Sequence, residues 1–100
     1  MSSKGDARPQ AGNFLVERYL KQSDADALAA AAGALRRSAR QLTDEGRRVR
    51  FVRSIFLPED ETCFDLYEAS SAETVEETAR RAGVSFDRIV PYENDERSQQ

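Results

Sequence analysis

The stretch from Val49 to Ala69, VRFVRSIFLPEDETCFDLYEA, constrains the fold more than any other part of the chain. Two runs rich in Val, Ile, Phe and Tyr, at positions 49–57 and 62–68, flank the acidic segment 58–61. Such residues suit a pleated surface, and the proline and aspartate of the segment provide turn chemistry. The stretch predicts a β-hairpin at the centre of a small sheet. Its strands also carry the polar residues Arg53, Cys63 and Asp65 among apolar neighbours.

The remaining elements are arranged around this hairpin. We expect strands at Phe14–Lys21 and Arg88–Glu93, and helices at Asp24–Leu42 and Ser71–Ala82. The order strand, helix, strand, strand, helix, strand predicts an α+β fold of the ferredoxin-like βαββαβ type, a four-stranded antiparallel sheet with two helices on one face. The first and third strands would be central neighbours. Pro91 has no N–H for a second neighbour, so the last strand should lie at an edge.

Local signals set the ends of the helices. Ser23 precedes the first helix as a cap, and Ser70 with Glu73 has the spacing of a capping box before the second. Gly83 is placed to stop the second helix. Apolar side chains recur along the first helix in one stripe, which should pack on the sheet: Leu28, Ala32, Leu35, Ala39 and Leu42.

Composition bounds the class of protein. The 100 residues allow one domain, expected at 13–93, with a disordered leader at 1–12 and a disordered tail at 94–100. No apolar run approaches the roughly 20 residues of a membrane helix, so a soluble protein with no membrane partner is expected. The single Cys63 fits a reducing cytoplasm.

Charge argues against nucleic acid as the main partner, because the net charge is −3 with both signs mixed. Seven arginines nevertheless fall between positions 36 and 53. We interpret them as a solvated surface, with phosphate or RNA binding as the alternative, since no stacking aromatics interleave with them.

The helices leave one face of the sheet uncovered, and alternation along the strands predicts its residues. If Val16, Phe64 and Leu66 point toward the helices, a second set points away. That second set is Leu15, Glu17, Tyr19, Phe51, Arg53, Ile55, Cys63, Asp65, Tyr67, Val90 and Tyr92. A small domain covers such a face most readily with a second copy, so a homodimer is expected.

Charged residues on this face have two interpretations. One is a structural ion pair, Arg53 with Asp65 or Glu17, because a buried charge requires a partner. The other is a ligand pocket in which Arg53 meets a small anion or polar metabolite, or in which carboxylates bind a metal ion. The residues of that pocket would be Glu17, Arg53, Cys63, Asp65 and Tyr67.

Catalytic signals are few. The chain has no histidine, which removes Ser-His-Asp and Cys-His arrangements and the commonest ligand of transition metals. Cys63 is interpreted as a buried small residue rather than a nucleophile. Glu17 or Asp65 could act as a general base if desolvated. No catalytic residue is assigned.

Three blocks of sequence carry a family resemblance: FLVERYL, then VRFVRSIFLPEDETCFDLYEAS, then AETVEETARRAGVSFDRIVPY. Together they resemble a bacterial family of small ferredoxin-like proteins of unknown function that includes a nickel-binding protein. The resemblance covers about Phe14 to Tyr92. It implies pairing into a dimer through sheet faces and possible binding of a divalent metal ion, Ni²⁺ by analogy. It also implies Glu17, Asp60 and Asp65 as candidate metal ligands.

Three functional hypotheses follow. The first is a cytoplasmic homodimer that binds a ligand or metal ion in a pocket on the open sheet face. The second is a cofactor-independent enzyme of the dimeric α/β-barrel type, such as an oxygenase or isomerase, with Glu17 or Asp65 as base. The third is a structural or regulatory module without a pocket.

Overall fold

A computed structural model describes residues 11–21 and 25–93 of the chain. The predicted leader and tail, and the predicted cap Ser23, lie outside these residues except for positions 11 and 12. In order, the strands and helices are β1 (Gly12–Tyr19), α1 (Ala25–Asp44), β2 (Val49–Leu57), β3 (Thr62–Ala69), α2 (Ala72–Ala82) and β4 (Arg88–Tyr92). A 3-10 turn, Pro58–Asp60, joins β2 to β3.

The sheet confirms the predicted topology. Its strand order is β2-β3-β1-β4, with every pair antiparallel. The first and third strands are therefore the central neighbours, and β4, which contains Pro91, lies at an edge. Together with two helices, this is the ferredoxin-like βαββαβ arrangement.

Local interactions set both ends of α2, and one of the two predicted end residues is wrong. Gly83 adopts a left-handed conformation, φ 72°, and stops α2 as predicted. The predicted cap Ser70 is wrong: the Oγ atom of Ser71 accepts the N–H of Thr74 at 3.2 Å instead. Ser70 donates its own N–H to the carbonyl of Arg48 and so belongs to the preceding loop.

The core lies between the helices and one face of the sheet, here called the covered face. The predicted stripe of α1 contributes Leu35, Ala39 and Leu42, and α2 contributes Val75 and Ala79. The strands contribute Val16, Val49, Phe51, Tyr67 and Ala69. Neither helix of the described residues is long and apolar enough to cross a membrane.

The opposite face of the sheet, the open face, is covered by neither helix. Strand pairing lines up its side chains in rows, since Leu15 lies between Leu66 and Val90, and Ile55 lies beside Phe64. Several large apolar side chains remain accessible, including Tyr19 (58%), Leu57 (40%) and Ile55 (39%). The open face therefore combines apolar side chains with charged ones, since Arg53 faces Leu66 and Glu17 faces Phe64.

The structure reverses the predicted facing of β3. Cys63, Asp65 and Tyr67 are fully buried on the covered face, whereas Phe64 and Leu66 lie on the open face. Phe51 is also buried rather than outward. Side chains alternate between the two faces in β3, as predicted. The prediction chose the wrong face for each set, because it did not foresee that the charge of Asp65 has a partner under the helices.

Candidate functional site

A buried ion pair stands at the centre of the covered face. Arg18 of β1 donates from Nε to Oδ2 of Asp65 at 2.6 Å and from Nη2 to Oδ1 at 3.2 Å. Arg18 is 5% exposed and Asp65 is 0% exposed. The planar guanidinium matches the two oxygens, which is the strongest geometry for such a pair. Asp65 is opposite Val16 in the sheet register, so the pair runs diagonally between β1 and β3.

A β-bulge brings a third group to this pair. Between Phe51 and Arg53 the register of β2 against β3 shifts, so that Arg53 faces Leu66 and Ser54 faces Asp65. Ser54 therefore donates from Oγ to Oδ1 of Asp65 at 2.6 Å. Without the bulge, strict alternation from Phe51 would place Arg53 beside Asp65. The predicted ion pair between Arg53 and Asp65 is wrong for this reason.

Cys63 completes the contacts of the carboxylate. Its Sγ lies 3.5 Å from Oδ1 of Asp65 and 3.5 Å from Nη2 of Arg18. Burial, followed by the charge of Asp65, raises the pKa of the thiol, so Cys63 stays protonated. Burial alone would lower the pKa of Arg18, but its hydrogen bond and charge contact with Asp65 outweigh burial and leave that pKa raised. Both groups are thus held in one protonation state.

Tyr67 adds a polar atom without a partner. Its ring packs edge-on against Phe51, with centroids 5.5 Å apart and planes at 74°. The hydroxyl is buried and forms no hydrogen bond with the described residues. Burial, followed by the charge of Asp65, raises the pKa of the phenol. A buried hydroxyl without a partner is costly, and such groups mark places where a bound molecule can supply the missing contact.

A cavity of about 330 Å³ borders this cluster at Arg18, the one member of the cluster in its lining. Arg18 forms part of its wall, together with one side of α1 and the loop that follows α2. Most of the remaining wall is apolar: Leu20, Leu28, Ala31 and Val84. The hydrogen bonds of Arg18 within the described residues use Nε and Nη2. Nη1 is therefore the guanidinium nitrogen that remains available as a hydrogen-bond donor.

The five predicted pocket residues do not converge. Cys63, Asp65 and Tyr67 lie under the helices, while Glu17 and Arg53 lie on the open face. Glu17 accepts a hydrogen bond from Nε of Arg88 at 2.7 Å, so its predicted pairing with Arg53 is also wrong. The sequence prediction thus combined two opposite faces of the sheet in one pocket.

The three candidate metal ligands are likewise separated. Glu17 is on the open face, Asp60 is exposed in the 3-10 turn, and Asp65 is engaged by Arg18 and Ser54. Across residues 11–21 and 25–93, no group of three or more His, Cys, Asp or Glu side chains could hold a metal ion. With no histidine in the chain, this donor set does not fit nickel.

Sequence reasoning missed Arg18 and Ser54 as members of the site. Arg18 shares its side of β1 with Phe14 and Val16, an otherwise apolar set, and a charge in such a set signals a buried pair. Ser54 carried no comparable signal, because only the bulge turns it inward.

These features define a class: a small ferredoxin-like α+β protein with a bidentate Arg–Asp pair buried between sheet and helices. Residues 14–91 match the family described as nickel responsive protein SCO4226-like, and the chain belongs to that family. Its fold is similar to the crystal structure of SCO4226 from Streptomyces coelicolor A3(2), with a TM-score of 0.66 and 26% sequence identity. That similarity covers 82% of this chain and 99% of the other. No curated protein matches the sequence.

Proposed function

We propose that this protein is a cytoplasmic homodimer that binds a small ligand in the cavity beside Arg18. The observation that carries the proposal is the position of Arg18. Its guanidinium is held by two hydrogen bonds to Asp65, and Arg18 is also one of the residues that line the cavity. A cavity of about 330 Å³ falls at the small end of the range of ligand sites, and such sites combine apolar walls with few polar groups.

The wall defines the chemistry of the ligand. Asp65 neutralises the charge of Arg18, so Nη1 acts as a hydrogen-bond donor rather than as an unbalanced cation. Apolar side chains from α1 and from the loop after α2 favour an apolar body. The ligand class is therefore a small, largely apolar molecule that carries one carbonyl or carboxylate oxygen.

The open face supports the homodimer. Leu15, Leu66 and Val90 form one apolar row across three strands, and Ile55 with Phe64 forms a second. Two copies related by a two-fold axis would cover these rows with the same surface on each chain. Nickel is not assigned as the ligand, because the described residues of one chain supply no site for it. The family description concerns a nickel response, and that response can be tested separately.

Calorimetric titration with benzoate and benzamide tests the cavity. Both probes carry an oxygen acceptor on an apolar ring, one charged and one neutral. We expect saturable binding of each in the millimolar range, as befits ligands of this size. Because Asp65 cancels the charge of Arg18, the two dissociation constants should agree within about tenfold.

A matched pair of variants locates the binding. Ala31→Leu adds volume to the cavity wall, whereas Ala30→Leu makes the same change at the exposed neighbouring position of α1. Binding should be lost in the first variant and retained in the second. Absence of binding for both probes, or equal binding in both variants, would show that the cavity is not a ligand site.

A further inference from the structure

A second cleft, larger than the cavity beside Arg18, lies where the later turns of α1 face the start of β2. Its volume is about 580 Å³. Its floor is apolar and buried, formed by Ala39, Val49 and Phe51. It shares no lining residue with the cavity beside Arg18.

Arginines dominate the polar lining of this cleft: Arg36, Arg40, Arg48 and Arg50. Its one acidic residue is Glu68, which pairs with Arg50 at 3.1 Å. Among the described residues, the other three arginines form no ion pair. The lining therefore carries a charge of about +3 on a chain whose net charge is −3. Like charges gathered in a concave site raise the local concentration of anions.

The arginines of the cleft come from two parts of the chain. Arg36 and Arg40 are one turn apart on α1 and so share a side of the helix. Arg48 immediately precedes β2, and Arg50 is the second residue of that strand. The guanidinium of Arg36 also lies over the ring of Phe51, 5.2 Å from its centroid, which holds one of the four cations in place.

We propose that this cleft binds a small polyanion with two or more phosphate groups. Guanidinium groups hold phosphate oxygens through paired hydrogen bonds, and several of them on two elements can meet successive phosphates. A single-stranded nucleic acid would also need exposed aromatic rings for its bases. Phe51 is 5% exposed and lies under Arg36, so the cleft offers no such ring.

Calorimetric titrations with pyrophosphate, tripolyphosphate and ADP, at constant ionic strength, test the proposal. We expect saturable binding with one ligand per chain. Tighter binding of tripolyphosphate would indicate an inorganic ligand, and tighter binding of ADP would indicate an organic phosphate whose body rests on the apolar floor. Either result supports the site.

The matched variants are Arg36→Gln with Arg40→Gln, inside the cleft, and Arg37→Gln with Arg47→Gln, outside its lining. Both pairs remove the same charge. The first should weaken binding at least about tenfold and the second less than about threefold. Circular dichroism checks the fold, and Arg48→Gln provides a second cleft variant that leaves Phe51 and Arg36 in contact.

Three results would overturn the proposal. The first is no saturable binding of any of the three probes. The second is an equal loss of affinity in both pairs of variants, which would indicate a diffuse basic surface. The third is tighter binding of a single-stranded RNA oligonucleotide than of tripolyphosphate. None of these results bears on the benzoate titration, because the two sites have no residue in common.

Discussion

Glu17 and Arg18 are consecutive residues of β1, and each forms an ion pair, but the pairs lie on opposite faces of the sheet. Arg18 and Asp65 are enclosed between sheet and helices, with side chains 5% and 1% exposed. Glu17 and Arg88 are on the open face, with side chains 31% and 67% exposed. The shortest contact is similar in both, 2.6 Å and 2.7 Å. The two ion pairs are therefore alike in distance and differ in burial.

Location decides what each pair contributes. An exposed pair is screened by water and contributes little, whereas breaking a buried pair leaves a charge without water or partner. The two faces also differ in their apolar surface, because the open face leaves Ile55 and Leu57 about two-fifths exposed. In this protein the buried polar cluster is under the helices, whereas the open face exposes apolar side chains to solvent.

The largest effect is expected from breaking the buried pair, with the exposed pair as its control. Asp65→Asn should lower the free energy of unfolding by about 3–5 kcal/mol, because the Arg18 guanidinium loses its charged partner while buried. Glu17→Gln, the matched change on the open face, should cost less than about 1 kcal/mol. Urea denaturation of both variants measures the difference. Equal effects would show that the Arg18–Asp65 pair is not enclosed.

The open face can be tested by placing a charge in its centre. Leu66→Arg should weaken the proposed dimer at least about 100-fold, since an arginine would be buried against its own copy. Sedimentation velocity should then show a monomer at micromolar concentration. Ala29→Arg, on the exposed side of α1, should leave the dimer intact. A wild-type protein that sediments as a monomer would refute association through this face.

A smaller effect is expected at alkaline pH. Burial raises the pKa of Cys63 and of Tyr67 above their unfolded values of about 8.5 and 10. As pH rises through those unfolded values, the unfolded chain binds fewer protons than the folded chain, so stability falls. The stability that Cys63 contributes is present below about pH 8.5 and falls above it, and that of Tyr67 falls above about pH 10, at up to about 1.4 kcal/mol per pH unit for each group.

Urea denaturation between about pH 7 and 11 measures this slope. The double variant Cys63→Ala with Tyr67→Phe should lose most of it. At pH 7, Tyr67→Phe alone should leave stability unchanged or raise it by about 1 kcal/mol, because it removes a buried hydroxyl without a partner. An unchanged slope in the double variant would place these groups in water.

The sequence was sufficient to predict the elements and their order. The limits of β2, Val49–Leu57, and the edge position of β4 were confirmed. Periodicity and turn chemistry determine these features, and both are local properties. The match of residues 14–91 to a family is consistent with the resemblance read from three blocks of sequence.

The site could be predicted only in part, for two physical reasons. Both alternating sets of β3 contain apolar residues. Because Asp65 is charged, the sequence favours the set with Phe64 and Leu66 for the interior, and this choice is wrong. That choice depends on Arg18, a residue 47 positions away on another strand. The second reason is the bulge between Phe51 and Arg53, which places Ser54 instead of Arg53 beside Asp65. The apolar periodicity of the sequence does not reveal this bulge.

The central claim is that Arg18 joins a buried ion pair to a ligand cavity, and nuclear magnetic resonance of the arginine side chains tests it most directly. The Nε–H proton of Arg18 should exchange slowly with water, because it is enclosed by the bond to Asp65, and its signal should vanish in Arg18→Lys. Addition of benzoate should shift that signal to saturation, with the same dissociation constant as in calorimetry. Fast exchange of every arginine Nε–H proton, or an Arg18 signal that benzoate leaves unchanged, would contradict the account.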